Sequence, residues 1–443
     1  MRFIPMPTNA RTHSRWIWPI LALALALRLL TLLGTAPLDM YITDGGDRLW
    51  LLVNGLGLTA NQVRGQITLV IHGQITILPF LNGSLPTPPL YLYIIGWLQR
   101  IFGPEMGIIS IWLMQALMGM AVCWFGYRIG RRLHSQTAGL IAALVLAVHP
   151  EYVREAGTIL TESTYIFFTF AGIWLYVEYV VQAERPRWLM IALIGAVFGL
   201  ATLTRAVLLL FPVGIGLHLL LISRGRWWRY ALGLLLAYGL MIGIWTAHNW
   251  LLYGRFVIVS DQFTPALWRG AVTTDGAPAD NDAQLAGTTP GEAAVEAISG
   301  DIGGYIALRI KELGGSYLVP AGSTTLGGES LRALVMNWLR EDRSLEGLGR
   351  VLSGDDFWLK SLMYLFHFGG IILGLLGMVL ARRNWQIMTL LAGFILYTTL
   401  VHSILIAIPR YIFPTQIAFW MLASVPLAML WGRLQQRNRR NVS

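Results

Sequence analysis

Charged residues stand beside apolar runs at only a few places in this chain, and those residues are the candidates for chemistry. Asp44-Gly45-Gly46-Asp47 follows closely on the apolar run 16–34. Glu162 lies in Ile159-Leu160-Thr161-Glu162-Ser163-Thr164-Tyr165, where a loop turns back into an apolar helix. A carboxylate held at a membrane surface is costly unless it is solvated or used. Two such groups meeting on one side of a bilayer suggest chemistry at the interface. The basic candidates are Arg205, which interrupts two apolar runs, Arg410 in Arg410-Tyr411-Ile412-Phe413-Pro414, and Arg269 in Leu267-Trp268-Arg269-Gly270. Guanidinium suits an anion because its planar fork can bind two oxygens at once.

Plainer roles stand beside each of these. Whichever of Asp44 and Asp47 is not a base reads as a helix cap or turn residue. Glu162 could supply only negative charge to the first turn of its helix, although a capping Thr161 already satisfies that start. Arg205 and Arg410 could snorkel or pair with carboxylates instead of binding an anion. Glu151 and Glu155, in the same loop as Glu162, read as solvated. His402, on an apolar helix, reads as buried and hydrogen-bonded. A divalent metal ion, with Asp47 and Glu162 as its ligands, is not identified by these carboxylates, which lack a tight motif.

The elements that position these residues follow from composition. Of 443 residues 55% are hydrophobic and 13% charged, and mean hydropathy is +0.58. Soluble domains carry about 25% charged residues, so lipid is the main solvent here. The net charge of +10 is almost all arginine, since Lys311 and Lys360 are the only lysines. Its short clusters between apolar runs argue against a nucleic-acid partner and for the excess of cytoplasmic positive charge. Cys123 is the single cysteine, which leaves no internal disulfide.

About 20 apolar residues cross a bilayer. Spans are expected near 16–35, 105–127, 136–149, 161–181, 188–204, 206–223, 230–250, 359–381, 385–408 and 411–432. The fold class is therefore an all-α polytopic membrane protein of about ten transmembrane helices. Ten spans place Arg128/Arg131/Arg132, Arg185/Arg187, Arg224/Arg226/Arg229, Arg382/Arg383 and both basic termini in the cytoplasm, with the protein in the plasma membrane. The first run reads as a retained span and not a cleaved signal, because Arg28 lies inside it.

Two external segments are too long for simple connections. In 36–104, Asp47 is placed to cap a short helix reaching Leu56, and an aromatic helix starting at Pro88-Pro89 is too short to span and reads as interfacial. The segment 251–358 reads as a lid, with a mobile stretch over 273–291. Helical periodicity follows over 292–318, with Val295, Ile298, Ile302, Ile306 and Ile310 on one side. The chain thus divides into a module over 1–250 containing the 36–104 loop, the external segment 251–358, and a C-terminal membrane part over 359–443.

The landmarks occur in a telling order: an external Asp after the first span, Pro88-Pro89-Leu90-Tyr91, Leu160-Thr161-Glu162, Leu203-Thr204-Arg205, Trp245-Thr246-Ala247-His248-Asn249, Leu267-Trp268-Arg269-Gly270, His402 and Arg410-Tyr411-Ile412-Phe413-Pro414. In this the chain resembles the GT-C superfold, in the branch of protein O-mannosyltransferases and the lipid A aminoarabinose transferase. The resemblance implies a glycosyltransferase that takes a sugar from a polyprenyl-phosphate donor outside the cytoplasmic membrane. The acceptor hydroxyl, on a protein, lipid or polysaccharide, is left open. It implies Asp47 or Asp44 as base, Glu162 as the second acidic position, and Arg205 as a ligand of the donor phosphate. Arg410 and Arg269 are further basic candidates for that ligand. The family's apolar and small positions after the Asp match Leu51 and Gly55 if Asp47 is the base, but Arg48 stands where an acidic neighbour is common. His248 stands where many relatives have Arg. The rival readings are a ligase using a lipid-pyrophosphate oligosaccharide, or a flippase; no inverted pair of broken spans supports the latter.

Overall fold

The computed structural model describes residues 13–34, 88–222, 227–254, 256–261, 263–272, 288–324, 326, 330–354 and 356–442. Asp44, Asp47 and the short helix expected after them lie outside these residues, as does most of the 273–291 stretch. The described residues form helices and turns, with no strand among them.

The first helix, α1 (Ile17–Gly34), precedes α2 (Leu90–Phe102), which starts just after Pro88-Pro89. At 13 residues α2 is about 20 Å long, well short of the hydrocarbon core. Gly103, with a φ of 80° that a side chain would strain, turns the chain into α3 (Pro104–Leu133). Ser135 caps α4 (Gln136–Val148), accepting from the Ala138 amide at 3.2 Å. Then follow α5 (Thr161–Tyr176), prolonged by a π-helical turn over Val177–Val181, α6 (Trp188–Thr204), α7 (Phe211–Ile222) and α8 (Trp228–Tyr253). The segment beyond holds α9 (Phe263–Val272), α10 (Pro290–Gly300), α11 (Ile302–Leu318), α12 (Leu331–Glu341) and α13 (Leu345–Leu352). The chain ends with α14 (Phe357–Leu380), α15 (Trp385–Ile404) and α16 (Pro414–Val442).

All ten expected spans are apolar helices. Five candidate spans meet the length and composition of a crossing helix, and one of these, Phe357–Ile404, is α14 and α15 joined by the turn Ala381–Asn384. α1, α4, α6 and α7 are shorter apolar helices. Close approach relies on small residues, as is usual where lipid offers no hydrophobic drive between helices. A Cβ on Gly377 of α14 would collide with the Leu422 carbonyl of α16, and one on Gly139 of α4 would lie 2.5 Å from the Tyr127 carbonyl of α3.

Charge sorts to the two ends of the bundle. Glu178, past the end of α5, accepts Arg128 and Arg132 of α3 at 2.6 Å each. Asn384 donates to the Leu133 carbonyl at 2.8 Å, which brings Arg382 and Arg383 to that same end. Glu162 begins α5 and so marks the opposite end. The basic clusters at the ends of α3 and α14 therefore share one side, as their sequence positions require.

Arg28 turns inward. It is fully buried and donates to the carbonyls of Ala24 at 2.9 Å, Leu146 at 3.1 Å and Ala147 at 3.4 Å, with its guanidinium 4.7 Å from the Tyr152 ring centroid. Leu146 and Ala147 are in the last turn of α4, whose carbonyls lack helical partners and welcome a cation.

The helices within 251–358 depart from expectation. The single helix expected over 292–318 is two helices, because the Asp301 side chain caps a new start at the Gly304 amide, 2.7 Å away. The apolar stripe also faces out: Ile302, Ile306 and Ile310 are 52–67% exposed, while Arg309, Glu312 and Ser316 are buried. The Trp245–Asn249 motif of α8 fastens the returning chain. Trp245, Thr246 and Asn249 donate to the carbonyls of Val259, Ile258 and Val257 at 2.9, 3.1 and 2.8 Å, after a turn at left-handed Gly254.

Arg28→Met should strip three carbonyls of a charged donor and destabilise the bundle by about 2–3 kcal/mol. Thermal unfolding of the purified protein in detergent checks this, and an unchanged midpoint would show that these bonds contribute nothing.

Candidate active site

Four chain segments end at the same level. Leu160 is extended, so α5 starts abruptly and places Glu162 in its first turn. α6 stops where Arg205 becomes extended, with φ −145° and ψ 118°. Pro409 opens the four-residue helix Pro409–Ile412 and sets Arg410 directly after it. The 3-10 turn Glu155–Gly157 completes the set. The expected cap role of Thr161 does not hold: it lies inside the helix, and its hydroxyl donates to Glu162 Oε2 at 3.4 Å.

Glu162 is wholly buried and receives two guanidiniums. Arg205 Nη1 lies 2.9 Å from Oε1; Arg410 Nε donates to the same oxygen and Nη2 to Oε2 at 3.2 Å, a two-point grip. The Arg205 guanidinium also lies 5.0 Å from the Tyr411 ring centroid and 5.6 Å from that of Tyr165. Tyr411 stacks on His402, which donates from Nδ1 to the Ile406 carbonyl at 2.9 Å and is buried as its sequence context suggested. Both arginines keep part of their surface open, 15% for Arg205 and 24% for Arg410. Burial alone would depress the Arg410 pKa, but the Glu162 carboxylate raises it above its ordinary value.

Glu155 and Glu151 are not the solvated residues expected. Burial, then the Glu162 charge, push Glu155 up to about 7, against the opposing pull of Arg410 and Arg154. The loop carrying it is pinned by Gln115 of α3, whose Nε2 donates to the Ala156 and Thr158 carbonyls at 3.0 and 2.8 Å while its Oε1 accepts from Tyr91 at 2.7 Å. Glu151 is buried, and burial pushes it up to about 8; it accepts from the Gly322 amide at 2.8 Å while Arg154 donates to the Gly322 carbonyl at 2.7 Å. Gln115 was legible as the lone amide of an apolar run, a type of residue that is conspicuous inside a span.

Arg269 stands on α9, beside Gly270. A Cβ on Gly270 would lie 3.1 Å from the Ile406 amide nitrogen, so Arg269 flanks the turn that leads to Arg410. The structure thus joins Glu162, Arg205 and Arg410 directly. Both Glu162 oxygens are already engaged by cations, so it fits a divalent metal poorly, and no group of three metal-ligating side chains occurs among the described residues. Phe167 of α5, five residues beyond Glu162, lines an apolar groove of about 410 Å³ with Leu98 and Phe102 of α2 and Leu113, Met114 and Leu117 of α3.

A stability prediction follows from Glu155. Its folded-state pKa of about 7 lies above the ordinary 4.5, so its contribution is full below about 4.5 and is lost as pH rises through about 7. Glu155→Gln should remove that decline. Parallel melting curves of the two proteins between these pH values would refute the assignment.

Residues 86–250 match the family model for dolichyl-phosphate-mannose-protein mannosyltransferases. No curated protein matches the chain as a whole sequence. Among solved structures, the Archaeoglobus fulgidus oligosaccharyltransferase in the apo form aligns at 14% identity and a TM-score of 0.55, covering 98% of this chain and 52% of that one. Archaeal AglB from the same organism, in complex with an inhibitory peptide and a dolichol-phosphate, aligns at 12% identity and a TM-score of 0.51, covering 98% and 52%. ArnT from Cupriavidus metallidurans in the apo state aligns at 13% identity and a TM-score of 0.40, covering 93% and 78%. The chain spans about half the length of the oligosaccharyltransferase it matches. It is a multi-pass membrane protein with the GT-C superfold, and over residues 86–250 it carries the sequence pattern of the dolichyl-phosphate-mannose-protein mannosyltransferases.

Proposed function

We propose that the chain transfers a sugar from a polyprenyl-phosphate donor to an acceptor hydroxyl at the outer face of the plasma membrane. The carrying observation is the convergence of Arg205 and Arg410 on the buried Glu162, each with an open side. A carboxylate that fixes two guanidiniums before the ligand arrives preorganises them for an anion. The apolar groove along α2, α3 and α5 supports a place for the lipid tail. The match over 86–250 to a family named for dolichyl-phosphate-mannose, and a likeness in fold to AglB solved with a dolichol-phosphate, agree with such a donor.

In the reaction the acceptor oxygen attacks the anomeric carbon while a base takes its proton. The bond from that carbon to the phosphate oxygen breaks, and its electron pair leaves with the polyprenyl phosphate. Arg205 and Arg410 stabilise the charge that develops there. Asp47 serves as base in this reading, with Asp44 shaping the turn at Gly45-Gly46, and Glu162 acts by orienting the arginines. The segment 251–358 is the place for acceptor specificity.

The test is incubation of purified protein with a labelled polyprenyl-phosphate sugar, which separates transfer from movement across vesicles and from binding alone. Arg205→Ala should weaken donor binding by about 2–5 kcal/mol, with Arg205→Lys retaining part of it. Asp47→Asn should slow turnover about 10²–10⁴-fold with little change in donor binding, and Asp44→Asn should do less. An inactive Asp44→Asn beside an active Asp47→Asn would move the base to Asp44; full activity in both would end the mechanism. Use of a pyrophosphate-linked oligosaccharide in place of the monophosphate would establish the ligase reading.

The orientation has its own check. Both termini are assigned to the cytoplasm on the basic clusters. Cysteines at Gly276 and Thr325 should label from outside, and those at Arg131 and Arg383 only after permeabilisation. The reverse pattern would invert the protein.

A further inference from the structure

α11 meets the site through its polar face. Arg309 and Glu312, one turn apart and both buried, are ion-paired at 2.6 Å. They cover the connection from α15 to Arg410. Tyr305, one turn before Arg309, donates to the Ile404 carbonyl at 2.6 Å, and Arg309 Nη1 donates to the Leu405 carbonyl at 2.8 Å. His402 holds the Ile406 carbonyl from within, and the Ala407 amide faces the Glu312 carboxylate. A Cβ on Gly270 would lie 3.2 Å from Arg309 Nη1, so α9 closes over the same turn. Four consecutive residues, Ile404 to Ala407, are thus held in place, and three positions on stands Arg410.

We propose that the Arg309–Glu312 pair is a positioning device for Arg410, by which the segment outside the bundle sets the geometry of the anion site. The proposal rests on the reading of Arg410 as a ligand of the donor phosphate. Arg410 grips Glu162 through Nε and Nη2, and such a two-point contact tolerates little rotation of the backbone that carries it. A four-residue helix opened by a proline cannot fix that backbone alone, because it has too few internal hydrogen bonds. Anchoring the preceding turn removes its freedom before the ligand arrives, and a small displacement of a binding group is costly to catalysis. The pair lies on the buried polar face of α11, opposite the exposed Ile302, Ile306 and Ile310, so its burial against backbone carbonyls and amides has no solubility purpose.

The experiment uses the full chain in lipid nanodiscs with polyprenyl phosphate as probe. Amide hydrogen exchange over 404–412 and affinity for the probe are measured for Arg309→Ala, Arg410→Ala and the double variant. Arg309→Ala should speed exchange in that stretch about tenfold or more while leaving the far end of the bundle protected. It should weaken the probe about fivefold, and add nothing once Arg410 is already alanine. Glu312→Gln and Arg309→Lys, which keep the packing, should fall between wild type and Arg309→Ala. Unchanged exchange, or losses that simply add in the double variant, would overturn the proposal. Normal binding by Arg410→Ala together with faster exchange in Arg309→Ala would remove the donor role from Arg410 and leave the clamp standing.

Discussion

The Glu162 carboxylate has no access to solvent, and the rest of the site is arranged around that fact. An ion taken out of water costs several kcal/mol, which only close opposite charge and hydrogen bonds offset. Two guanidiniums therefore have to reach it from elements distant in sequence. α6 must end at Arg205, and α15 must give way to a new start at Pro409. α5 must begin at the same level. One extra turn in either arginine-bearing element would shift its cation by about 5.4 Å and leave the carboxylate unpaired. The extended backbone at Leu160 and Arg205, and the proline before Arg410, are the local devices that enforce these ends.

A buried ion pair is weak evidence for stability, since apolar side chains of the same volume often do as well. Glu162 with Arg205 and Arg410 is better understood as a preorganised polar surface than as a fastening. The other end of the bundle provides the contrast. There Glu178 also takes two arginines, Arg128 and Arg132, but they stand among further basic residues at one end of the bundle. Charge excess explains that set as topology, whereas the set at Glu162 stands at the end where the basic clusters of α3 and α14 are absent.

The sequence was legible where one physical rule dominates. Ten apolar runs separated by arginines became ten helices, because lipid requires long apolar helices and permits few charges inside them. Glu162, Arg205 and Arg410 stood out as charges in poor places. That they meet one another was not legible, since residues 43 and 248 positions apart are joined only by packing. Glu151 and Glu155 looked solvated because they lie in a loop between two apolar runs; Gln115 and Gly322, which cover or pin that loop, come from other elements. Periodicity located the helix of α11 and its two faces but not which of them points outward, and the outward apolar face inverts the arrangement usual in water.

That inversion carries a consequence for the whole chain. Tyr317 of α11 is bonded to Thr399 of α15 at 2.6 Å, so α11 runs beside a span whose own Leu396, Leu400 and Ile404 are exposed. Beside such a surface an outward apolar face is the low-energy arrangement, and polar side chains are free to turn inward wherever backbone groups need partners. Arg28 at the end of α4, Gln115 beneath the Glu155 loop and Arg309 over the turn before Arg410 all do this. In a water-soluble bundle each would compete with solvent for the same carbonyls and gain about 1–3 kcal/mol. Away from water the same bonds are worth more, because a group left unpaired has no alternative partner. The loops that carry the candidate site are therefore held by side chains from the bundle and from α11 beside it, which allows irregular backbone to present charged groups at fixed positions.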